Sequence, residues 1–140
     1  MDVIQKLKLK LISPEETLFA QEVNAVVIPT ENGEITVLPQ HAGLVSILVP
    51  GELIVQDGKT RYPLAVAGGV IQVQDNNVTI LTDAAVHAKD IDLATAEKRA
   101  NELAKQLEDQ ATLNLADYQT LLRNLEHEKA KLRVGRKWHK

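Results

Sequence analysis

The chain has 140 residues, a formal net charge of −3, 44% hydrophobic and 3% aromatic residues, and no cysteine. That composition suits one globular domain, or one with an appendage, and excludes wholesale disorder, disulfides, thiolate metal sites and cysteine nucleophiles. No apolar run reaches the roughly 18–20 residues that span a bilayer, residues 1–13 carry no apolar signal-peptide stretch, and the net acidity argues against a dedicated nucleic-acid binder.

Residues 6–11 read Lys-Leu-Lys-Leu-Lys-Leu, a period of two that predicts a strand with one face buried. Short β-branched runs follow at residues 23–28, 34–38, 44–49, 52–55, 62–66, 69–73 and 78–81. Turn clusters separate them at residues 30–33, 50–51, 56–59 and 75–77. That spacing predicts an antiparallel sandwich or barrel. Parallel βαβ units are excluded, because the connections leave no room for crossover helices.

The character of the chain then changes. All five prolines lie at or before Pro63 and six of the seven glycines at or before Gly69, and residues 70–134 contain neither. Residues 1–88 hold five Lys/Arg against ten Asp/Glu, whereas residues 89–140 hold eleven against nine. The boundary therefore falls at 88/89, between a strand domain (1–88) and a helical region (89–140).

Asp90 or Asp92 can cap a first helix, in which Leu93, Ala96, Ala100, Leu103, Ala104 and Leu107 fall on one stripe. Asn114 can cap a second, with Leu115, Tyr118, Leu121, Leu122, Leu125 and Leu132 as its stripe and Gly135 as a stop. Residues 109–113 suit the connection of an antiparallel hairpin. The first stripe is mostly alanine and buries little area, while Lys129 and Arg133 rotate toward the second. Such a hairpin needs docking to be stable and can pack in more than one place.

No catalytic constellation emerges. Ser13 and Ser46 are the only serines, and neither sits in G-x-S-x-G. His41, His87, His127 and His139 lack metal-ligand spacing. Gly58-Lys59-Thr60 ends like a phosphate loop, but its first glycine is replaced by Leu53, so it reads as a hairpin turn. Gly68-Gly69 reads as a tight turn or bulge before a strand. The strongest charge feature is the C-terminal basic cluster. Arg123, His127 and Lys131 are spaced i, i+4, i+8, opposite the leucines, and Arg133, Arg136 and Lys137 follow. A solvated helix face, an acidic partner and a phosphate or nucleic-acid ligand all fit it.

Four blocks are more specific than their composition: Pro29-Thr30-Glu31-Asn32-Gly33-Glu34-Ile35-Thr36-Val37-Leu38-Pro39-Gln40-His41-Ala42, Pro50-Gly51-Glu52-Leu53, Ala67-Gly68-Gly69-Val70-Ile71-Gln72-Val73 and Val78-Thr79-Ile80-Leu81-Thr82-Asp83-Ala84-Ala85. In order and spacing, and followed by Asp90-Ile91-Asp92, they resemble the epsilon subunits of F-type ATP synthases (delta in mitochondrial naming). The resemblance spans essentially the whole chain. It implies an α+β fold, a β-sandwich of about ten strands followed by a two-helix hairpin. It also implies a non-catalytic rotor subunit, peripheral on the cytoplasmic face of a bacterial membrane. Its sandwich would bind the gamma subunit and sit on the c-subunit ring, with Glu34 and His41 facing the ring's polar loops. Its hairpin would leave the sandwich to brake ATP hydrolysis, the basic face of Arg123, Lys131, Arg133 and Arg136 meeting an acidic segment of the catalytic beta subunit.

Some members bind regulatory ATP through Ile-Asp-x-x-Arg-Ala. Here Ile91-Asp92-Leu93-Ala94-Thr95-Ala96 keeps Asp92 and puts Thr95 where the arginine belongs, so no cofactor is expected beyond that partial match. The rival expectation keeps the fold and drops the rotor, leaving a freestanding sandwich-plus-hairpin module that binds an acidic partner or RNA.

Overall fold

A computed structural model describes residues 6–109 and 114–138. Ten strands come first: β1 (Leu7–Ile12), β2 (Thr17–Val23), β3 (Ala25–Thr30), β4 (Gly33–Val37), β5 (Leu44–Leu48), β6 (Gly51–Asp57), β7 (Thr60–Val66), β8 (Gly69–Gln74), β9 (Asn77–Thr82) and β10 (Ala85–His87). A 3-10 turn, Ala88–Asp90, leads into helices α1 (Leu93–Glu108) and α2 (Leu115–Trp138).

The strands form two layers, β10-β7-β6-β3-β4 and β5-β8-β9-β1-β2, joined at a corner where Thr30 of β3 pairs with Leu48 of β5. Both layers turn their alternate residues inward. Leu7, Leu9 and Leu11 of β1 are at most 2% exposed, while the lysines between them face out. Val26, Ile28, Val37, Leu53, Val55 and Val66 meet Leu48, Ile71, Val73, Val78 and Ile80 in the same aliphatic core.

The architecture matches the α+β expectation, with two differences in detail. β2 and β10 lie outside the runs that alternation marks. β2 is an edge strand whose residues are mostly exposed, so selection for a buried face is weak there, and β10 is only three residues long. One pairing is also parallel: β1 runs alongside β9, Leu9 opposite Val78 and Leu11 opposite Ile80. Their remoteness in sequence makes this possible without a crossover helix.

Turns and caps follow the local chemistry. Gly58 has φ +63° in the β6–β7 turn, as a hairpin reading of Gly58-Lys59-Thr60 requires. Asp92 caps α1, its carboxylate accepting from the Thr95 N–H at 3.1 Å, and Asn114 caps α2, accepting from the Asp117 N–H at 2.8 Å. The expected connection at residues 109–113 lies outside the described residues except for Asp109.

Gly135 is not a stop. α2 continues to Trp138, and Gly135 is buried where a β-carbon would come within 2.6 Å of Leu93 Cδ2 and 3.2 Å of Ile91 Cγ2. Its role is close approach between α2 and the start of α1. The expected leucine stripe of α2 is also only partly buried. Leu125 is covered, but Leu115 is 72% and Leu122 39% exposed.

α2 serves two surfaces instead of one. Glu128 faces α1, 3.8 Å from Arg99, where Ala96 and Ala100 are buried. Val134 and Trp138 face the outer side of the first sheet, packing with Ala65, Ala88 and Ile91. That division accounts for the broken stripe near Lys129 and Arg133, both of which remain exposed.

Candidate interaction surfaces

The outer face of β5, β8 and β9 carries an apolar row that stays half exposed, with α2 at its side and, among the described residues, no helix covering it. Ile47 pairs with Val70, and Val70 with Leu81, so the three stand side by side across the strands. They are 50%, 46% and 51% exposed, and Val45 nearby is 73% exposed. On an antiparallel sheet the solvent face should be polar, and a contiguous apolar patch there marks a docking surface. Sequence reading missed it, although Val45, Ile47, Val70 and Leu81 all occupy the wrong phase for the core. The row forms one wall of a cleft of about 850 Å³ whose other wall is α2, through Thr120, Arg123, Asn124 and His127.

Glu34 and His41 sit at opposite ends of β4 rather than together. Glu34 is exposed beside the β3–β4 turn, opposite Pro29. His41 follows the far end, where its N–H donates to the Leu38 carbonyl and its Nδ1 lies 2.7 Å from the Ala42 carbonyl. The Gln40 N–H donates to the Asn76 side chain and ties this segment to the β8–β9 turn. Among the described residues β4 pairs with β3 alone, which leaves its other edge open.

The basic residues of α2 do not make one face. At about 100° per residue, Arg123, His127 and Lys131 share one side, and Arg133 and Arg136 lie well round the helix from them. The first set is turned toward the body of the protein, not away from it as expected. Arg123 and His127 line the cleft, and Lys131, with its side chain only 16% exposed, donates to Glu128 at 3.1 Å. Glu128 is buried and also lies 3.8 Å from Arg99 of α1. Arg133 and Arg136 are exposed. His139 lies outside the described residues.

Neither ring nitrogen of His127 finds a hydrogen-bond partner of good geometry among the described residues. Burial, and then the Lys131 ammonium, hold its pKa below the ordinary value, against weaker opposing effects of the Val66 carbonyl and Glu128. His87 is lowered in the same direction, by burial and by Lys89.

The sign follows from linkage. Unfolded α2 binds a proton more readily than docked α2, so the stability of docking is fully present above the free imidazole value of about 6.5 and is lost as pH falls below it. For one histidine the slope cannot exceed about 1.4 kcal/mol per pH unit. Urea midpoints for the helical signal should therefore drop between pH 7.5 and 5.5, and His127→Gln should flatten the profile. An unchanged profile in that variant would assign the dependence elsewhere.

Asp92, Thr95, Arg99, Glu128 and Lys131 line a small pocket of about 190 Å³ at the base of the hairpin, below the usual ligand range of about 300–1,000 Å³. Asp92 is used as a cap, and the Thr95 N–H holds its carboxyl below the usual carboxylate range. The Glu128 carboxylate stands between Arg99 and Lys131 and already engages both cations of the pocket. These residues do not fit ATP.

Comparison with known proteins gives a consistent result. Residues 6–88 match the family described as ATP synthase, Delta/Epsilon chain, beta-sandwich domain. An ATP synthase epsilon chain of Dehalococcoides mccartyi is 42% identical over 98 residues, covering 68% of this chain and 70% of the relative. One of Pelotomaculum thermopropionicum is 43% identical over 103 residues, covering 70% and 76%. Among solved structures, a chain of the Euglena gracilis mitochondrial ATP synthase, in its OSCP/F1/c-ring assembly, superposes with a TM-score of 0.75 at 26% identity, covering 93% of this chain and 81% of that one.

Proposed function

Since this chain belongs to the ATP synthase delta/epsilon family, we propose that it is a non-catalytic central-stalk subunit of an F-type ATP synthase, joining the F1 head to the c-ring. The observation that carries the assembly role is the apolar row of Ile47, Val70 and Leu81 on an uncovered sheet face. A subunit that must transmit torque needs a permanent interface, and such interfaces are more apolar than transient ones. The partner on this face is the gamma subunit.

Replacing Ile47 and Leu81 together by lysine leaves the core untouched, because both side chains point outward. Two buried charges at an interface should weaken gamma binding by at least about a hundredfold, measured by co-elution or titration with purified gamma. Full binding by the double variant would move the gamma site off this face.

The open edge of β4 supports the c-ring contact. Its two ends, Glu34 and His41, provide a carboxylate and an imidazole about a strand length apart, a span suited to several polar loops rather than one. Glu34→Ala with His41→Ala should lower ATP-driven proton pumping by the assembled enzyme while hydrolysis continues, since neither residue supports the core. Pumping at the parent rate would refute the assignment.

The hairpin, residues 89–140, is read as the regulatory part and residues 1–88 as the rotor-binding part. The family's sandwich match ends at residue 88, at the first residue of the turn that leaves the strands. In the docked form Lys131 is tied to Glu128, and Arg133 and Arg136 are exposed. Extension of the hairpin would present these groups and Arg123 to an acidic surface of the catalytic beta subunit and slow ATP hydrolysis. The membrane association is indirect, through the complex; no helix among the described residues is long and apolar enough to cross a bilayer. In a bacterium the subunit would lie on the cytoplasmic face.

A further inference from the structure

The end of α2 is fastened to the sandwich through one carboxylate. Glu52, on the outer side of β6, accepts from Lys137 Nζ at 2.9 Å with one oxygen and from the Trp138 indole N–H at 2.8 Å with the other. The Glu52 side chain keeps only 19% of its exposure, against 58% for Lys137. The Lys137 ammonium also lies 5.5 Å from the centre of the Trp138 ring, which packs against the small apolar cluster of Ala65, Ala88, Ile91 and Val134.

We infer that Glu52, Lys137 and Trp138 form a clasp that sets how often the hairpin leaves the sandwich. The inference rests on the reading of the hairpin as a detachable arm. Three features support it. In that cluster the strands offer α2 only small side chains, Ala65 and Val86, so apart from Trp138 the apolar contact supplies little adhesion. Hydrogen bonds with an ionised partner are stronger than neutral ones and are directional. Two adjacent residues donating to the two oxygens of one carboxylate also fix the rotation of α2 about its axis, and with it the seating of Val134 and Gly135.

The clasp also lies where leverage is greatest. α1 follows the strands directly through the 3-10 turn, so that helix is tethered covalently to the sandwich. The far end of α2 is held to the strands by these contacts. Glu52 offers Lys137 the kind of group that an acidic partner would offer. Docking therefore competes with partner binding for the same cation, and opening the clasp frees it.

The chain has no cysteine, so introduced ones give clean labels. Nitroxides on Lys59→Cys, in the exposed β6–β7 turn, and Lys129→Cys, on the exposed side of α2, report the docked distance in the full chain by pulsed electron paramagnetic resonance. The parent should give one narrow distribution. Glu52→Ala should shift the docked-to-open ratio by about tenfold or more toward open. Glu52→Gln, which keeps the shape, and Trp138→Phe, which removes only the N–H, should each shift it by less. Strand content by circular dichroism should not change.

Distributions that superimpose on the parent in Glu52→Ala, with strand content unchanged and also in the low urea at which the parent first shows the open distance, would overturn the clasp. Hydrolysis by the reconstituted enzyme separates the two readings. If Glu52→Ala opens the hairpin and inhibition deepens, both stand. If it opens the hairpin and hydrolysis is unchanged, the clasp stands and the regulatory role falls.

Discussion

Gly69→Ala should destabilise the sandwich more than any other single methyl group added to this chain. A β-carbon at that position would lie 1.8 Å from the Leu81 carbonyl oxygen, 2.8 Å from its carbon and 3.0 Å from Thr82 Cα. These are backbone atoms of the neighbouring strand, so no rotamer change relieves the overlap. The strands must separate, and the row that pairs Gly69 with Thr82 must break. Thr82 is itself buried there, its hydroxyl within hydrogen-bond distance of the Ala67, Gly68 and Ala84 carbonyls.

Overpacking of this kind costs about 3 kcal/mol or more, a large part of a stability of about 5–15 kcal/mol. The melting temperature should fall by about 10–20 °C. Gly58→Ala is the control. Its φ of +63° strains an alanine, but nothing lies within 4 Å of the new methyl, so the cost should be about 1 kcal/mol. Equal small losses in thermal melts of the two variants would mean that β8 and β9 separate easily.

A chain ending at Ala88 should keep its strands and its binding to gamma, and should lose all inhibition of ATP hydrolysis. The core of the sandwich uses no residue beyond β9 for its buried aliphatics. What truncation uncovers is the outer patch around Ala65, Ala88 and Val86. The full chain with Arg123, Lys131, Arg133 and Arg136 all changed to alanine should fall between the parent and the truncation. Each exposed ion pair contributes only about 0–1 kcal/mol, so the effect must be collective, and added salt should mimic it. Hydrolysis rates of the reconstituted enzyme decide: parent-level inhibition in the truncated form would place the brake in the sandwich. Parent-level inhibition in the quadruple variant alone would remove its electrostatic origin.

What could be read from the chain is what local patterning controls. The Lys-Leu alternation of β1 marks its buried face residue by residue, and Gly58, Asp92 and Asn114 act as their types suggest. The parallel partner of β1 could not be read, because pairing between remote strands leaves no periodic trace in either. α2 misled for a different reason. A helix that packs on two sides divides its apolar residues between two stripes, so on a single stripe Leu122 reads as buried and Gly135 as terminal.

Of the candidate surfaces, the basic residues of α2 stand out by charge, Glu34 and His41 only through family resemblance, and the apolar row not at all. Glu128 reads as one more surface charge until Arg99 and Lys131 are seen around it. Glu52 and Trp138 are 86 residues apart, and neither neighbourhood hints at the other. Ile47, Val70 and Leu81 come from three strands, and only the register aligns them.

The parallel pairing of β1 with β9 also bears on how the protein is made. Leu9 and Val78 lie about seventy residues apart in sequence, and loop-closure entropy of that size makes such contacts slow to form. During synthesis, β1 can pair with β2 at once, but its other edge waits for β9, one of the last strands to leave the ribosome. The lysines of β1 keep that waiting edge charged, which discourages pairing with another nascent chain. α1 and α2 emerge only after the sandwich has the strands it needs to close. The helical hairpin is therefore added last, onto a sandwich whose aliphatic core is already closed.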